Sequence, residues 1–185
     1  MAFWSDTSLD PKRQYKFKVT FGYLQDQGVN SNASTYLAQS ADRPVYQISD
    51  GTKIDYLDKS FHFPGKITWT PVKIKFVDTV TSGPGNVNVC KKVYDYLGNA
   101  GWVNPETAGN ITPANMATIS KAKSVNGAQT KDIMIEVLNS EGTAVDKWQI
   151  KNAFVSTVAL NNLDYAAEGV LTAEFTFRYD WAVLT

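Results

Sequence analysis

The chain ends in EGVLTAEFTFRYDWAVLT, and from Val170 onward apolar and polar residues alternate almost without a break. Leu171, Ala173, Phe175, Phe177, Tyr179, Trp181 and Val183 fall on one side; Thr172, Glu174, Thr176, Arg178 and Asp180 fall on the other. A repeat of two belongs to a β-strand, because successive side chains point to opposite faces of the pleat. Drawn as one strand, Val170–Ala182 runs for roughly 40 Å, well beyond the usual strand of about 5–6 residues. Chain ends usually fray. A terminus patterned this strongly needs something to bury its apolar side against, which predicts a β-rich fold.

The same pattern recurs upstream. QYKFKVTFGYL puts Tyr15, Phe17, Val19, Phe21 and Tyr23 on one side, with Lys16, Lys18 and Thr20 on the other. The Gly-, Asn- and Ser-rich QDQGVNSNASTYLAQSADR reads as a loop. PVYQI reads as a short strand, Asp50-Gly51 in SDGTK as a turn, and IDYLDKSFHF as the strand pairing back in a hairpin. PGK breaks the chain before ITWTPVKIKFVD. Pro71 has no N–H for a sheet ladder, so it marks an edge position or a bulge.

After SGPGN the period changes. Val89, Val93, Tyr96 and Leu97 recur at helical spacing, with Asn86 or Asn88 as the cap and Gly98 or Gly101 as the stop. TPANMATISKAK reads as a second, shorter helix opened by Thr112 and Pro113. KDIMIEVL is nearly continuously apolar, the pattern of a strand buried on both faces. NSEGT turns it into AVDKWQI; KNAFVSTVAL is a further strand, and NNLDYAAEG connects to the terminal one. The sum is about eight strands with one or two helices, an α+β fold, mainly β, in one domain over residues 1–185.

Composition narrows the function classes. A chain of 185 residues buries roughly 70% of its unfolded surface and needs no disulfide to hold a core. Cys90 is the only cysteine, which suits a reducing compartment. The N-terminus lacks the basic-then-apolar layout of a signal peptide. No apolar run approaches the roughly 20 residues of a membrane helix, so no membrane insertion is expected. Eighteen basic and 18 acidic residues give zero net charge. That argues against a strongly attractive nucleic-acid surface and removes one barrier to self-association.

Residues with catalytic chemistry are sparse. A Ser–His–Asp site, a Cys–His site or a His-based metal site would have to use His62, the only histidine, whose strand setting reads as structural. Cys90 precedes Lys91 and Lys92, which lowers a thiol pKa, but it sits by the apolar stripe of a helix and reads as a small buried residue. SGPGNVNVCKK lacks the spacing and Lys-Ser/Thr ending of a phosphate loop. The acidic pairs Asp55/Asp58 and Glu174/Asp180 carry no distinguishing spacing. Trp69, Trp148 and Trp181 sit in strand patterns where packing is the default, and Trp4 and Trp102 are less determined. No catalytic, cofactor-binding or metal residue is expected. A β-rich binding or structural domain remains, with a monomeric carbohydrate-binding module as one alternative.

Taken in order, PKRQYKFKVTFGYL, RPVYQI and FHFPGKITWTPVKIKFVD resemble the first half of the tail-tube proteins of contractile-tailed bacteriophages. VCKKVYDYLGNAG, DIMIEVLNSEGTAVDKWQIKNAFVSTV, LDY and the closing EFTFRYDWA are similar to their second half. Residues 104–129 fall outside the likeness, as an insertion or a variable outer element. The resemblance implies a β-sandwich or partly closed barrel whose inner sheet joins a hexameric ring, and rings that stack into a tube. It implies that copies of the chain itself, sheath protein and baseplate tube proteins are the partners. It implies that DNA passes transiently and without specificity, and that the location is the virion tail, assembled in host cytoplasm. The same fold implies two alternatives, a tube-initiator baseplate protein and a secretion-system tube homologue. Six copies would supply the strands that a wide channel needs and a single small chain cannot.

Two sets of residues follow from that resemblance. Lys16, Lys18, Glu174, Thr176, Arg178 and Asp180 are candidates for the channel lining, with the outer surface as the open alternative. Asp50, Gly51, Lys53, Asp55, Asp58 and Lys59 are candidates for a ring-stacking hairpin within Ser49–Phe63.

Overall fold

The computed structural model describes residues 11–22, 38–79, 88–106, 119, 131–166 and 168–185. Among them lie β1 (Phe17–Phe21), β2 (Ala38–Ala41), β3 (Tyr46–Tyr56), β4 (Lys59–Trp69), β5 (Val72–Val77), α1 (Val89–Ala100), β6 (Lys131–Leu138), β7 (Ala144–Leu160), β8 (Thr172–Arg178) and β9 (Trp181–Leu184). Among the described residues seven strands form one antiparallel sheet in the order β1-β6-β7-β8-β5-β2, with β9 beside β7, and β3 and β4 pair only with each other. The class is mainly β, as expected, and the sheet curls into a half-barrel.

β7 makes the curl. The sequence divides it into AVDKWQI and KNAFVSTVAL, but the chain runs through as one strand of 17 residues. Its first half pairs with β6 and β9, its second half with β8. Between the halves Asn152 takes φ 56, a left-handed conformation that Asn tolerates better than most residues with a Cβ. The register slips there, since Ile150 faces Ile133 while Ala153 faces Lys131, and it slips again between Val155 and Thr157. Each bulge adds a residue, bends the strand and increases its twist. The bulges also reset the alternation, so that Ile150, Ala153, Val155 and Val158 all reach the core without strict spacing by two.

The terminal segment is therefore two strands. β8 fits between β5 and β7 and buries Ala173, Phe175 and Phe177, as the alternation requires. At Tyr179–Asp180 the chain turns a corner and crosses to the other half of the sheet. The Asn152 Nδ2 donates to Asp180 Oδ2 at 2.8 Å, and the Asp180 N–H to the Lys151 carbonyl at 3.2 Å. Beyond the corner Ala182 faces Ile150 and packs on the core, so Trp181 and Val183 turn outward. A sheet that curls over a core cannot keep a strand of roughly 40 Å straight.

Val19, Phe21, Ile133, Ile135 and Ile150 enter the core from one half of the sheet; Val72, Ile74, Phe76, Phe175 and Phe177 enter from the other. Phe21 meets Phe177 edge-on across the core at 5.1 Å, and Phe76 meets Phe175 at 5.4 Å, the tilted geometry aromatic rings favour. α1 adds Tyr96 and Ala100. Of the two expected caps Asn88 serves, its Oδ1 accepting from the Lys91 N–H at 2.8 Å. Of the two expected stops Gly101 serves, at φ 117, while Gly98 lies inside the helix. The Tyr96 hydroxyl accepts from the Val155 N–H at 3.4 Å, beside the second bulge.

Other expectations change. β6 is fully buried on one face only, through Ile133 and Ile135; Met134 and Glu136 on the other are partly covered. β1 is shorter than QYKFKVTFGYL, with Tyr15 exposed ahead of it and Tyr23 outside the described residues. β2 forms inside the stretch read as a loop, because AQSA has no apolar alternation and is held by pairing with β5. Pro71 lies between β4 and β5, where the chain leaves the hairpin for the main sheet. The second helix over TPANMATISKAK, Ile119 apart, lies outside the described residues, as does most of 104–129.

Two outcomes follow from this core. Phe177→Ala should lower stability to denaturant by about 3–5 kcal/mol, because the ring is wholly buried against two others. Burial raises the Tyr96 hydroxyl above its ordinary 10.0, against a smaller lowering by the Val155 hydrogen bond. A raised pKa stabilises the fold fully below the unfolded value and is lost as pH climbs through the folded one. Tyr96→Phe should flatten the fall in stability above about pH 10, read from unfolding midpoints on both sides of that value.

Candidate assembly surfaces

β3 and β4 leave the sheet as a ribbon of eleven residues a side. Thr70 returns to the main chain of Val45 through both its N–H, at 2.9 Å, and its hydroxyl, at 3.0 Å. Trp69 braces the root between Tyr46 at 5.4 Å and Tyr179 at 6.0 Å. Beyond the root every residue is exposed. The ribbon nevertheless carries Ile48 opposite Ile67 and Ile54 opposite Phe61, with Tyr56 and Phe63 nearby and Leu57 88% exposed at its tip. An isolated two-stranded ribbon is marginal in water, and an apolar one is a surface that wants a partner.

The expected turn at Asp50-Gly51 is not one. These residues lie within β3, and the chain reverses at Leu57-Asp58, with Leu57 at φ 56. Asp50 faces Pro64 between two register shifts, so PGK also lies inside a strand. A Cβ on Gly51 would strike the Phe63 carbonyl and the Gly65 nitrogen; one on Gly65 would strike Ser49. The two glycines let the backbones approach at the crossing of the ribbon, a second use of glycine in strands besides turns.

Of the six stacking candidates, Lys53 and Asp55 pair along one strand at 3.0 Å, and the Ser60 hydroxyl also donates to Asp55. The Ser60 hydrogen bond, then Lys53, holds the Asp55 carboxyl below the usual carboxylate range. Asp58 and Lys59 stand at the tip, while Asp50 and Gly51 sit midway along the ribbon. The apolar residues between them escaped the sequence reading. Asp50-Gly51 and Pro64-Gly65 interrupt both alternations and imitate turns.

The channel candidates divide between two walls. Lys18, Glu136 and Lys147 stand side by side on the outer face of β1, β6 and β7, with ion pairs of 3.9 Å and 3.7 Å to Glu136. Lys151 and Asp132 continue that wall at 2.5 Å. Glu174, Thr176 and Arg178 lie on the outer face of β8, with Lys73 at 3.0 Å from Glu174 and Thr157 opposite Thr176. The core separates these two walls. Lys16 belongs to neither, since its ammonium donates to the Asn139 and Ser140 carbonyls at the β6–β7 turn. Asp180 is held at the corner by Asn152.

His62 is exposed on the ribbon opposite Lys53, and the Cys90 side chain lies outside the described residues. Among the described residues no three His, Cys, Asp or Glu side chains gather as a metal site would need. The tryptophans do not make one platform. Trp69 braces the ribbon, Trp148 packs on the core and Trp181 faces outward from β9. Trp102 follows α1, and Trp4 lies outside the described residues.

Chains of similar fold come from contractile injection systems. A chain of the sheath–tube complex of an extracellular contractile injection system (PVC, extended state) superposes with TM-score 0.60 at 16% identity, over 97% of each chain. A chain of the tube-terminating cap of the anti-feeding prophage gives 0.60 at 18%, over 100% of this chain and 99% of the other. One from the sixfold-symmetrised baseplate of that particle gives 0.58 at 12%, over 96% and 97%. At such identities the likeness is one of fold. Among curated proteins no sequence matches significantly. The family model of the T4-like virus tail tube protein gp19 matches residues 13–182, and the chain belongs to that family of structural tube proteins.

The crossing of the ribbon supplies a test. Gly51→Val should open β3 from β4 and expose residues 46–69 to limited proteolysis. The core, which contains no ribbon residue, should keep its unfolding midpoint to within about 1 kcal/mol.

Proposed function

We propose that this chain is the main tube subunit of a contractile tail. Hexameric rings of it stack into the inner tube of the virion, with the whole of residues 1–185 as one tube domain and 104–129 as its variable outer element. The observation that carries this is the apolar ribbon β3–β4 on a chain of the tail tube family. Alone it leaves aromatic and aliphatic residues in water; between copies it becomes buried surface. Obligate contacts of this kind typically exceed about 2,000 Å². The ribbon then serves as the ring-stacking hairpin, with Lys53, Asp55, Asp58 and Lys59 at its polar positions and Asp50 and Gly51 at its crossing.

Sheath and baseplate tube proteins are the expected partners, in keeping with the assemblies in which chains of this fold were solved. Passage of DNA is proposed from the charge of the walls. The row of Lys18, Glu136 and Lys147 and the group of Lys73, Glu174 and Arg178 each mix both signs. A channel lined by either would release few counterions to a sliding duplex and so would not hold it. Lys18 or the set Glu174, Thr176 and Arg178 then lines the channel, according to the wall that turns inward.

A second reading is a tube cap or initiator, in keeping with the cap and baseplate assemblies in which chains of this fold were solved. Negative-stain microscopy of the purified protein decides. Tubes of indefinite length support the main-tube reading; single rings support a cap or initiator; a monomer at every concentration refutes both. A further variant joins Asp50 to Pro64, which are partners in register, through an Asn-Gly turn. It should fold with an intact core and form no stacked tubes.

A further inference from the structure

Among the described residues the curled sheet does not close. There β1 pairs only with β6 and β2 only with β5, and the two strands approach within 8 Å between Cα atoms without joining. Where they diverge, beside Arg13 and Arg43, an open cleft of about 560 Å³ remains. That volume lies within the range of roughly 300–1,000 Å³ seen for clefts that take a bulky guest. Its floor is apolar, from Phe17, Ile135 and Val137, and its rim is basic. Lys12 is tied to Asp146 at 2.6 Å, and Lys16 to backbone carbonyls. The side chains of Arg13 and Arg43 make no ion pair or hydrogen bond with another described residue. Asp42 is the one acidic residue among those that line the cleft.

The opposite end of the sheet carries the complement. The connection from β7 to β8 leaves Leu160 and returns at Thr172, beside Val77. The cleft instead lies toward Val137, near the β6–β7 turn, and toward Lys73, to whose carbonyl the Asp42 N–H donates. The connection exposes Leu163 and Tyr165 almost completely, with Asp164 and Glu168 beside them. Asp164 Oδ1 accepts from the Ala166 N–H at 2.9 Å, and this fixes the bend that presents the two apolar side chains.

We infer that the connection between β7 and β8 of one copy docks into the β1–β2 cleft of the next, with Leu163 and Tyr165 on the apolar floor and Asp164 and Glu168 against Arg13 and Arg43. A bump at one end and a matching cleft at the other form a heterologous contact, the kind that builds rings or filaments from identical chains. Charge complementarity fixes the register and the apolar pair supplies the buried surface. The inference rests on the tube reading, but uses residues away from the ribbon.

The test is a charge-swap cycle on the full chain, read as the critical concentration for assembly by sedimentation and negative-stain microscopy. Arg43→Glu and Glu168→Lys should each raise it at least about tenfold, and the two together should return it to within about threefold of the parent. Asp164→Lys, which also removes the hydrogen bond that fixes the bend, should raise it without being restored by Arg43→Glu, and Tyr165→Ala should weaken assembly without a charge change. Circular dichroism should show all variants folded, since every substituted side chain is exposed. Parent tubes with indifferent charge variants, or a double variant no better than the worse single one, would overturn the contact and leave the tube reading standing. A parent that stays monomeric overturns both.

Discussion

The two bulges of β7 hold the rest of the structure in place. A strand of 17 residues without them would be a nearly flat ladder with strict alternation. Its two halves could not belong to two walls of one core. The left-handed Asn152 supplies the bend, and its amide fastens the corner at Asp180 where the terminal segment changes sides. The second bulge brings the Val155 N–H to Tyr96. Through these few residues β6 and β9 are set on one wall, β8 and β5 on the other, and the phenylalanines meet between them.

Once the sheet is curled, its unfinished parts become the informative ones. A closed barrel would have no free edges and no cleft. Here, among the described residues, β1 and β2 stop short of pairing, the ribbon β3–β4 stands away from the sheet, and Trp181 and Val183 point outward from β9. A subunit that lives alone would be expected to cover such surfaces. In a chain of the tail tube family such surfaces are the places to look for neighbours. The ion pairs on the two walls add little stability, since exposed pairs contribute about 0–1 kcal/mol. Their importance lies in the mixed sign they give to any surface they line.

Much of this was legible before folding. The alternation in β8 and β1 placed Phe175, Phe177, Val19 and Phe21 inside, and the period change after SGPGN located α1 and narrowed its cap and its stop to two residues each. The NSEGT turn is built as read, with Gly142 at φ 86 and Asn139 accepting from the N–H groups of Glu141 and Thr143. What misled was local chemistry with two uses. Asp50-Gly51 is a common turn signal, yet here glycine serves close backbone approach. Continuous apolar character in β6 suggested burial on both sides, yet Met134 lies on the half-open outer wall. The six polar residues named for the ribbon sit on it, but the apolar partners between them gave no periodic signal across the interruptions.

The sequence by itself determined which residues are strand and helix wherever periodicity was unbroken, because alternation and capping are properties of neighbours along the chain. It also determined the family, through the succession of those segments. Tertiary structure alone decided where a strand bends, which half of it faces which wall, and that Lys18 and Glu174 lie on opposite sides of the core. Those outcomes depend on register between segments far apart in the chain. A single extra residue at Asn152 reverses a face, and nothing local to that residue says which strand will lie opposite.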